Sequence, residues 1–290
     1  MALKLKQVPY FFVEVSSMMP RPILVKLFNV TYRKIPVLAI GHDIYCDTSI
    51  ILEALEHQFP ASLGYSSLYP RDATGRSNQA LIRGFASFWT DRPFFRVTTG
   101  LIPGSVWKTS FGEDRAKLIG HKLDPQKLEK KLPQNLSNLD LQLSLFEDLF
   151  READDEWVFW TPEPSLADIS IWYQLNWGLE MAQGKGISNL TGGGTQDTVG
   201  KEGAESVFNK ERYPATYLWF ERFKIHMERL QSVEKKISEG EAEKILSSTP
   251  DTGPKALPTP ARPHTQLDKK SGLTQGATVS IAPDDTGRNE

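Results

Sequence analysis

The chain has 290 residues, 39% of them hydrophobic and 24% charged, an ordinary balance for one or two folded domains with a buried core. A formal net charge of −2 argues against a nucleic-acid binder, and no apolar run approaches the length of a membrane span. The single cysteine, Cys46, excludes an intramolecular disulfide, and Met1 to Lys6 lacks the apolar core of a signal peptide, so a cytoplasmic location is expected.

Residues 1–65 mix strands with helix. Phe11 to Val15 is β-branched and aromatic and predicts a short strand. Pro20 and Pro22 suit the first turn of a short helix through Ile23, Leu24, Leu27 and Phe28. Pro36 to Ile40 and Ile44 to Cys46 predict an antiparallel hairpin around Gly41, His42 and Asp43. From Thr48 to Phe59 apolar residues recur at 50, 51, 54, 55 and 59, one face of a helix, and Pro60 follows it.

Residues 70–238 read as helices. Ala73 to Trp89 is amphipathic, and Leu132, Leu136, Leu139, Leu143, Phe146 and Phe150 form a helical stripe. Ser165 to Leu179 predicts another helix, and Pro214 opens one with Phe220, Phe223, Met227 and Leu230 on one face. Trp89, Phe94, Phe95 and Trp107 flank Thr98 to Gly104; they read first as core, with an apolar pocket between domains as the alternative. Residues 239–290 are poor in apolar side chains and predict a disordered tail.

Several patterns carry no chemistry. The glycines at 184, 186, 192–194, 200 and 203 do not complete a phosphate loop and read as a flexible connection. The histidines at 42, 57, 121, 226 and 264 lack metal-ligand spacing, so no metal site is expected. Asp154, Asp155 and Glu156 read as a solvated helix end.

Two pairs remain. Ile35-Pro36 enters a predicted strand, and an X-Pro bond is cis in only about 5% of cases. Asp47-Thr48 lies where a strand gives way to a helix, where a side-chain oxygen caps free N–H groups and the same field favours a ligand carboxylate. Taken together, these pairs resemble the glutathione transferase superfamily, and more narrowly its fungal members. Pro164 to Ile169, with Ser165 and Asp168 at capping-box spacing, and Tyr213-Pro214 leading to Trp219 and Phe223, add to the resemblance, which covers roughly residues 8–230.

The resemblance implies an incomplete thioredoxin-like α/β N-terminal domain followed by an all-α C-terminal domain. It implies that Ile35, before a cis Pro36, pairs its backbone with the cysteinyl part of glutathione. It implies that Asp47 and Thr48 hold the γ-glutamyl group, where the family more often has Glu-Ser. The buried capping box is implied to serve folding.

The family's catalytic hydroxyl or thiol finds no match: Ser16, Ser17 and Cys46 lie elsewhere, and Cys46 reads as a packing residue. Leu3 to Gln7 reads as the end of the family's first helix, so a first strand is expected to be missing, whether biologically or through a mis-set gene start. Phe11 to Val15 is then expected to be poorly anchored, to pair abnormally, or to be completed by another chain. The function expected is glutathione binding or conjugation to a small-molecule electrophile, weak or absent in this chain because the first strand and catalytic residue are missing, in a possible homodimer. The alternative is a non-catalytic scaffold that uses the helical domain.

Overall fold

The computed structural model describes residues 1–153, 157–183, 204–251, 265–273 and 277–278. The readings of Asp154 to Glu156, of the glycine-rich run and of His264 lie outside the described residues.

The N-terminal unit runs α1 (Ala2–Leu5), β1 (Tyr10–Phe12), α2 (Pro22–Phe28), β2 (Val37–Ile40), β3 (Asp43–Cys46) and α3 (Thr48–Gln58). Pro22 opens α2 as predicted, and Asn29 in the left-handed conformation closes it. β2 and β3 pair antiparallel from Val37↔Cys46 to Ile40↔Asp43. Asp43 therefore joins the strand, and the turn is Gly41-His42, with Gly41 at a φ of 64°. Tyr45, Ile51, Ala54 and Leu55 form a small core between hairpin and α3.

β1 is shorter than expected and does not join that hairpin. It pairs in parallel with β4 (Glu234–Lys236), in the register Tyr10↔Glu234 to Phe12↔Lys236. Tyr10 N–H donates to Val233 at 2.9 Å and Ile237 N–H to Phe12 at 3.0 Å. Of the three outcomes expected for this strand, the chain takes abnormal pairing, and its partner at 234–236 is a strand within the stretch 70–238 that reads as helical in the sequence.

The chain that follows β4 departs from the disordered tail expected from 239. Glu239–Ser248 is a helix, opened by a capping box in which the Ser238 N–H donates to Glu241 and the Ser238 side chain accepts from the Glu241 N–H. Its Ala242 is buried, as is Ile237 before it. Lys26 pairs with Glu243 at 2.8 Å, and His42 Nε2 donates to the Thr249 carbonyl at 2.8 Å. A few well-placed contacts and one cap order a segment whose average composition argued for disorder. A short exposed helix, Thr265–Lys270, lies further on.

The helical part begins with α4 (Gln79–Gly84), which runs through a π-helical stretch, Phe85–Phe94, into α5 (Phe95–Thr99). The helix predicted from Ala73 begins six residues later, at Gln79, because Asp72 Oδ1 accepts from the Thr74 and Arg76 amides and folds 72–76 into a turn. Pro93 lies inside the π stretch, where it removes one helical N–H. Then come α6 (Ser110–Ile119), α7 (Pro125–Lys130), α8 (Leu132–Glu152), α9 (Leu166–Ala182) and α10 (Pro214–Arg229). The predicted α8 stripe is real: Leu139, Leu143, Phe146 and Phe150 are buried. Phe146 packs against Phe85, Trp89 and Phe94 at ring separations of 6.3, 5.1 and 5.3 Å. Glu147 on α8 accepts from the Ala215 and Thr216 amides at 3.0 and 2.9 Å, so one helix caps another. Ser165 and Asp168 form the predicted capping box, fully buried.

Candidate functional site

The peptide bond between Ile35 and Pro36 is cis, and β2 begins at the next residue. The Val37↔Cys46 pairing sets Pro36 and Asp47 side by side at one end of the hairpin. The structure therefore brings together all four residues singled out in the sequence, Ile35, Pro36, Asp47 and Thr48, and all four face solvent.

Asp47 is the N-cap of α3: its Oδ1 accepts from the Ser49 amide at 2.8 Å, and its carbonyl accepts from Ile51 at 3.0 Å. Its φ of 79° with ψ of 132° is one that side-chain-bearing residues rarely adopt. Such a backbone costs on the order of 1–3 kcal/mol and clusters at ligand sites. Capping alone does not require it, since Ser165 and Thr109 cap α9 and α6 from ordinary extended backbone.

The surrounding charges are of both signs, Asp47 and Asp91 against Lys34 and Arg92. Burial, then Asp47 and Cys46, push the Tyr32 phenol above its usual range. Burial and then Asp47 push the Cys46 thiol up. Asp91, from the π-helical stretch, reaches solvent, yet the atoms packed round its carboxyl push its titration up first, and Asp47 adds to this while Lys34 and Arg92 oppose it. The helical domain therefore contributes a second carboxyl within electrostatic reach of Asp47. The sequence carried no signal for Asp91, which lies 44 positions downstream in a helix with no motif around it.

The hydroxyl and thiol groups named from the sequence are not poised as nucleophile activators. Cys46 is half-buried at the strand end, which departs from the buried packing role expected. Ser16 accepts from the Met18 amide at 3.1 Å. Tyr10 donates to Glu234 at 2.5 Å, and burial with that bond pushes its phenol up to about 12. The upward shift of Cys46 runs against forming a thiolate beside Asp47.

The aromatic residues flanking Thr98 to Gly104 divide. Phe94 is fully buried and Trp89 donates Nε1 to Gln142 at 2.6 Å, so both serve the helical core. Trp107 packs on Phe111, and Phe95 lies on the surface, contrary to a core role. An open depression of about 240 Å³ between α5 and α8 is lined by Pro93, Arg96, Val97, Asn135, Asn138 and Gln142, none of them a residue of the candidate site. Among the described residues no group of three His, Cys, Asp or Glu could hold a metal, and no helix is long and apolar enough to cross a membrane.

Comparison with known proteins gives four findings. Residues 1–63 match the family described as Glutathione S-transferase, N-terminal domain. Residues 99–190 match a family described as a domain of unknown function (DUF7962). A probable glutathione S-transferase of Solanum tuberosum is 31% identical over 118 residues, which are 40% of this chain and 46% of that relative, so the match spans less than half of the relative's length. The crystal structure of a GST-like protein from Pseudomonas syringae superposes with a TM-score of 0.52 at 25% identity, covering 91% of this chain and 73% of that one.

Proposed function

We propose that this chain, a glutathione transferase-like protein with a thioredoxin-like N-terminal domain and a mostly helical remainder, binds glutathione at the end of its β2–β3 hairpin. Ile35, held by the cis bond to Pro36, offers backbone groups just outside the β ladder to the cysteinyl part of the tripeptide. Asp47 holds the γ-glutamyl ammonium, and Thr48 with the α3 N-terminus receives the γ-glutamyl carboxylate. Asp91 lies on the helical side and adds to the field that attracts the ammonium.

The observation that carries this reading is the positive-φ N-cap at Asp47, beside a cis proline on the paired strand. Conjugation would further require the bound thiol to lose its proton. The acidic neighbours Asp47 and Asp91 raise the cost of a thiolate, so transfer to a small-molecule electrophile is proposed to be weak. A cytoplasmic setting and a homodimer complete the proposal.

Calorimetric titration with glutathione tests it. The wild-type chain is expected to bind, and Asp47→Asn, which keeps the capping oxygen but removes the charge, is expected to weaken binding about tenfold, as for loss of one charge-assisted bond. Absence of binding in the wild type, or equal binding in the variant, would remove the site.

A non-catalytic scaffold is the second reading, favoured by Leu81, Phe88 and Phe95, large apolar side chains exposed along the α4–α5 run. It predicts no glutathione binding.

A further inference from the structure

Away from Asp47, two guanidinium groups meet one carboxylate, with a third, that of Arg21, beside them, where the loop Ser16 to Arg21 and the segment before Ile35 meet α6. Arg33 Nη2 lies 2.7 Å from Asp114 Oδ1 and donates to the Asp114 carbonyl at 2.7 Å. Arg115 Nη1 donates to Asp114 Oδ2 at 2.6 Å and Nη2 to the Ser17 carbonyl at 3.2 Å, while its guanidinium sits 4.4 Å from the Phe111 ring centre. Arg21 donates to the carbonyls of Ser16 at 2.7 Å, Ser17 at 2.8 Å and Arg33. The Met19 amide donates to Asp114 Oδ1 at 3.2 Å, so that oxygen is already shared.

These bonds satisfy donors without balancing charge. Carbonyls carry no formal charge, so three cations face one anion. The cluster is also partly withdrawn from water: Arg21 is only 6% exposed, and the side chains of Arg33, Asp114 and Arg115 are 16%, 10% and 23% exposed. Burial pulls the ionisation of Arg21 and Arg115 down first. For Arg21 the next cause is Arg115, ahead of the opposing pull of Asp114. Buried charge is normally paired. Arg33 Nε, moreover, is buried and has no hydrogen-bond partner among the described residues.

We propose that Arg21, Arg33 and Arg115 form a seat for an oxyanion, the phosphate or carboxylate group of a small ligand. Arg21 is the buried rear wall, while Arg33 and Arg115 keep the solvent access a ligand needs. Guanidinium forks match such oxyanions with paired N–H donors. Asp114 orients the two outer arginines and cancels one of the three charges. The seat stands independently of the glutathione reading: it attracts anions, whereas Asp47 and Asp91 attract cations.

The test is calorimetric titration of inorganic phosphate into the full chain, with ionic strength held constant by chloride. The wild type is expected to bind saturably, Arg33→Gln and Arg115→Gln about tenfold more weakly, as for loss of a charge-assisted contact. Asp114→Asn is expected to bind more tightly, because one resident negative charge is gone. Thermal melts report which variants fold, and Arg33→Lys, which keeps the charge and loses the fork, should fall between wild type and Arg33→Gln. Acetate and glutathione as competitors distinguish the sources. Displacement of phosphate by glutathione assigns the seat to the tripeptide's own carboxylate; displacement by acetate alone assigns it to a separate acidic ligand. No saturable phosphate heat in the wild type, or equal affinities across the variants, overturns the proposal.

Discussion

The Lys6 ammonium lies 2.8 Å from the Glu56 carboxylate, with the lysine side chain entirely shielded from solvent. Lys6 also donates to the Ser66 carbonyl at 2.7 Å, and Glu56 accepts from Ser67 and from the Leu68 amide. One ion pair therefore joins α1, α3 and the connection into the helical domain. Removing one member of a buried pair strands the other and costs about 3–5 kcal/mol. Lys6→Met is expected near the low end, because Glu56 retains two other donors and partial solvent access. Urea unfolding measures it, and a loss below about 1 kcal/mol would mean the pair is close to neutral, as exposed pairs are.

The buried Asp168 carboxylate accepts from the Ser165 amide and hydroxyl at 2.9 and 3.0 Å, from the Val158 amide at 3.1 Å and from Trp219 Nε1 at 3.0 Å. Four donors converge where α9 starts, so the box ties α9 to the 157–161 turn and to α10. Asp168→Ala would leave buried donors unmet, each costing about 1–3 kcal/mol. The variant is expected to lose most of its cooperative thermal transition, whereas Ser238→Ala at the exposed box of 238–241 should cost about 1 kcal/mol. Similar melting temperatures for the two variants would show that burial of the box adds nothing.

The pairing of β1 with β4 is predicted to be the weakest part of the N-terminal unit. β4 has three residues, all exposed, and Phe11 and Phe12 are 52% and 40% exposed. Ending the chain before Val233 is expected to abolish exchange protection of the Tyr10 amide, which donates to Val233, and leave that of the β2–β3 hairpin intact. The bared aromatic edge should also promote self-association. Hydrogen exchange and light scattering follow both effects; an unchanged Tyr10 amide would mean that another partner holds β1.

Asp140 supplies a pH dependence. Arg212 donates Nε and Nη2 to it at 2.5 and 2.6 Å, and the Tyr213 hydroxyl at 2.6 Å. The Arg212 bonds, then that of Tyr213, hold the Asp140 carboxyl below its usual range despite an opposing effect of burial. A carboxyl with a depressed folded value contributes stability that is complete above its unfolded titration and disappears as pH falls through the folded one. The melting temperature of Asp140→Asn should therefore lie below that of the wild type at neutral pH, and the gap should close as pH falls below about 4, the ordinary aspartate range. A gap that is constant down to acid pH would show that packing, not charge, is lost.

Much of the fold was legible because it is local. The α8 stripe, the hairpin, the Pro22 and Pro214 helix starts and the Ser165 box each depend on residues a few positions apart, which one-dimensional periodicity records. The cis Ile35-Pro36 and Asp47-Thr48 pairs were also legible, because strand register carries them to the same end of one hairpin. Asp91 was not, since nothing in its own helix marks it and only domain packing brings it near Asp47.

The sequence by itself determined the helical stripes, the hairpin and the capped start of α3, because propensity, period and capping act within a turn or two of chain. Tertiary structure alone decided that β1 would take its partner from 234–236, that the capped helix 239–248 would dock through Lys26 and His42, and that Arg33 and Arg115 would gather round Asp114 with Arg21 beside them. Those outcomes depend on which distant surfaces meet: strand edges are satisfied by whatever backbone lies beside them, and charges balance or fail to balance only in three dimensions.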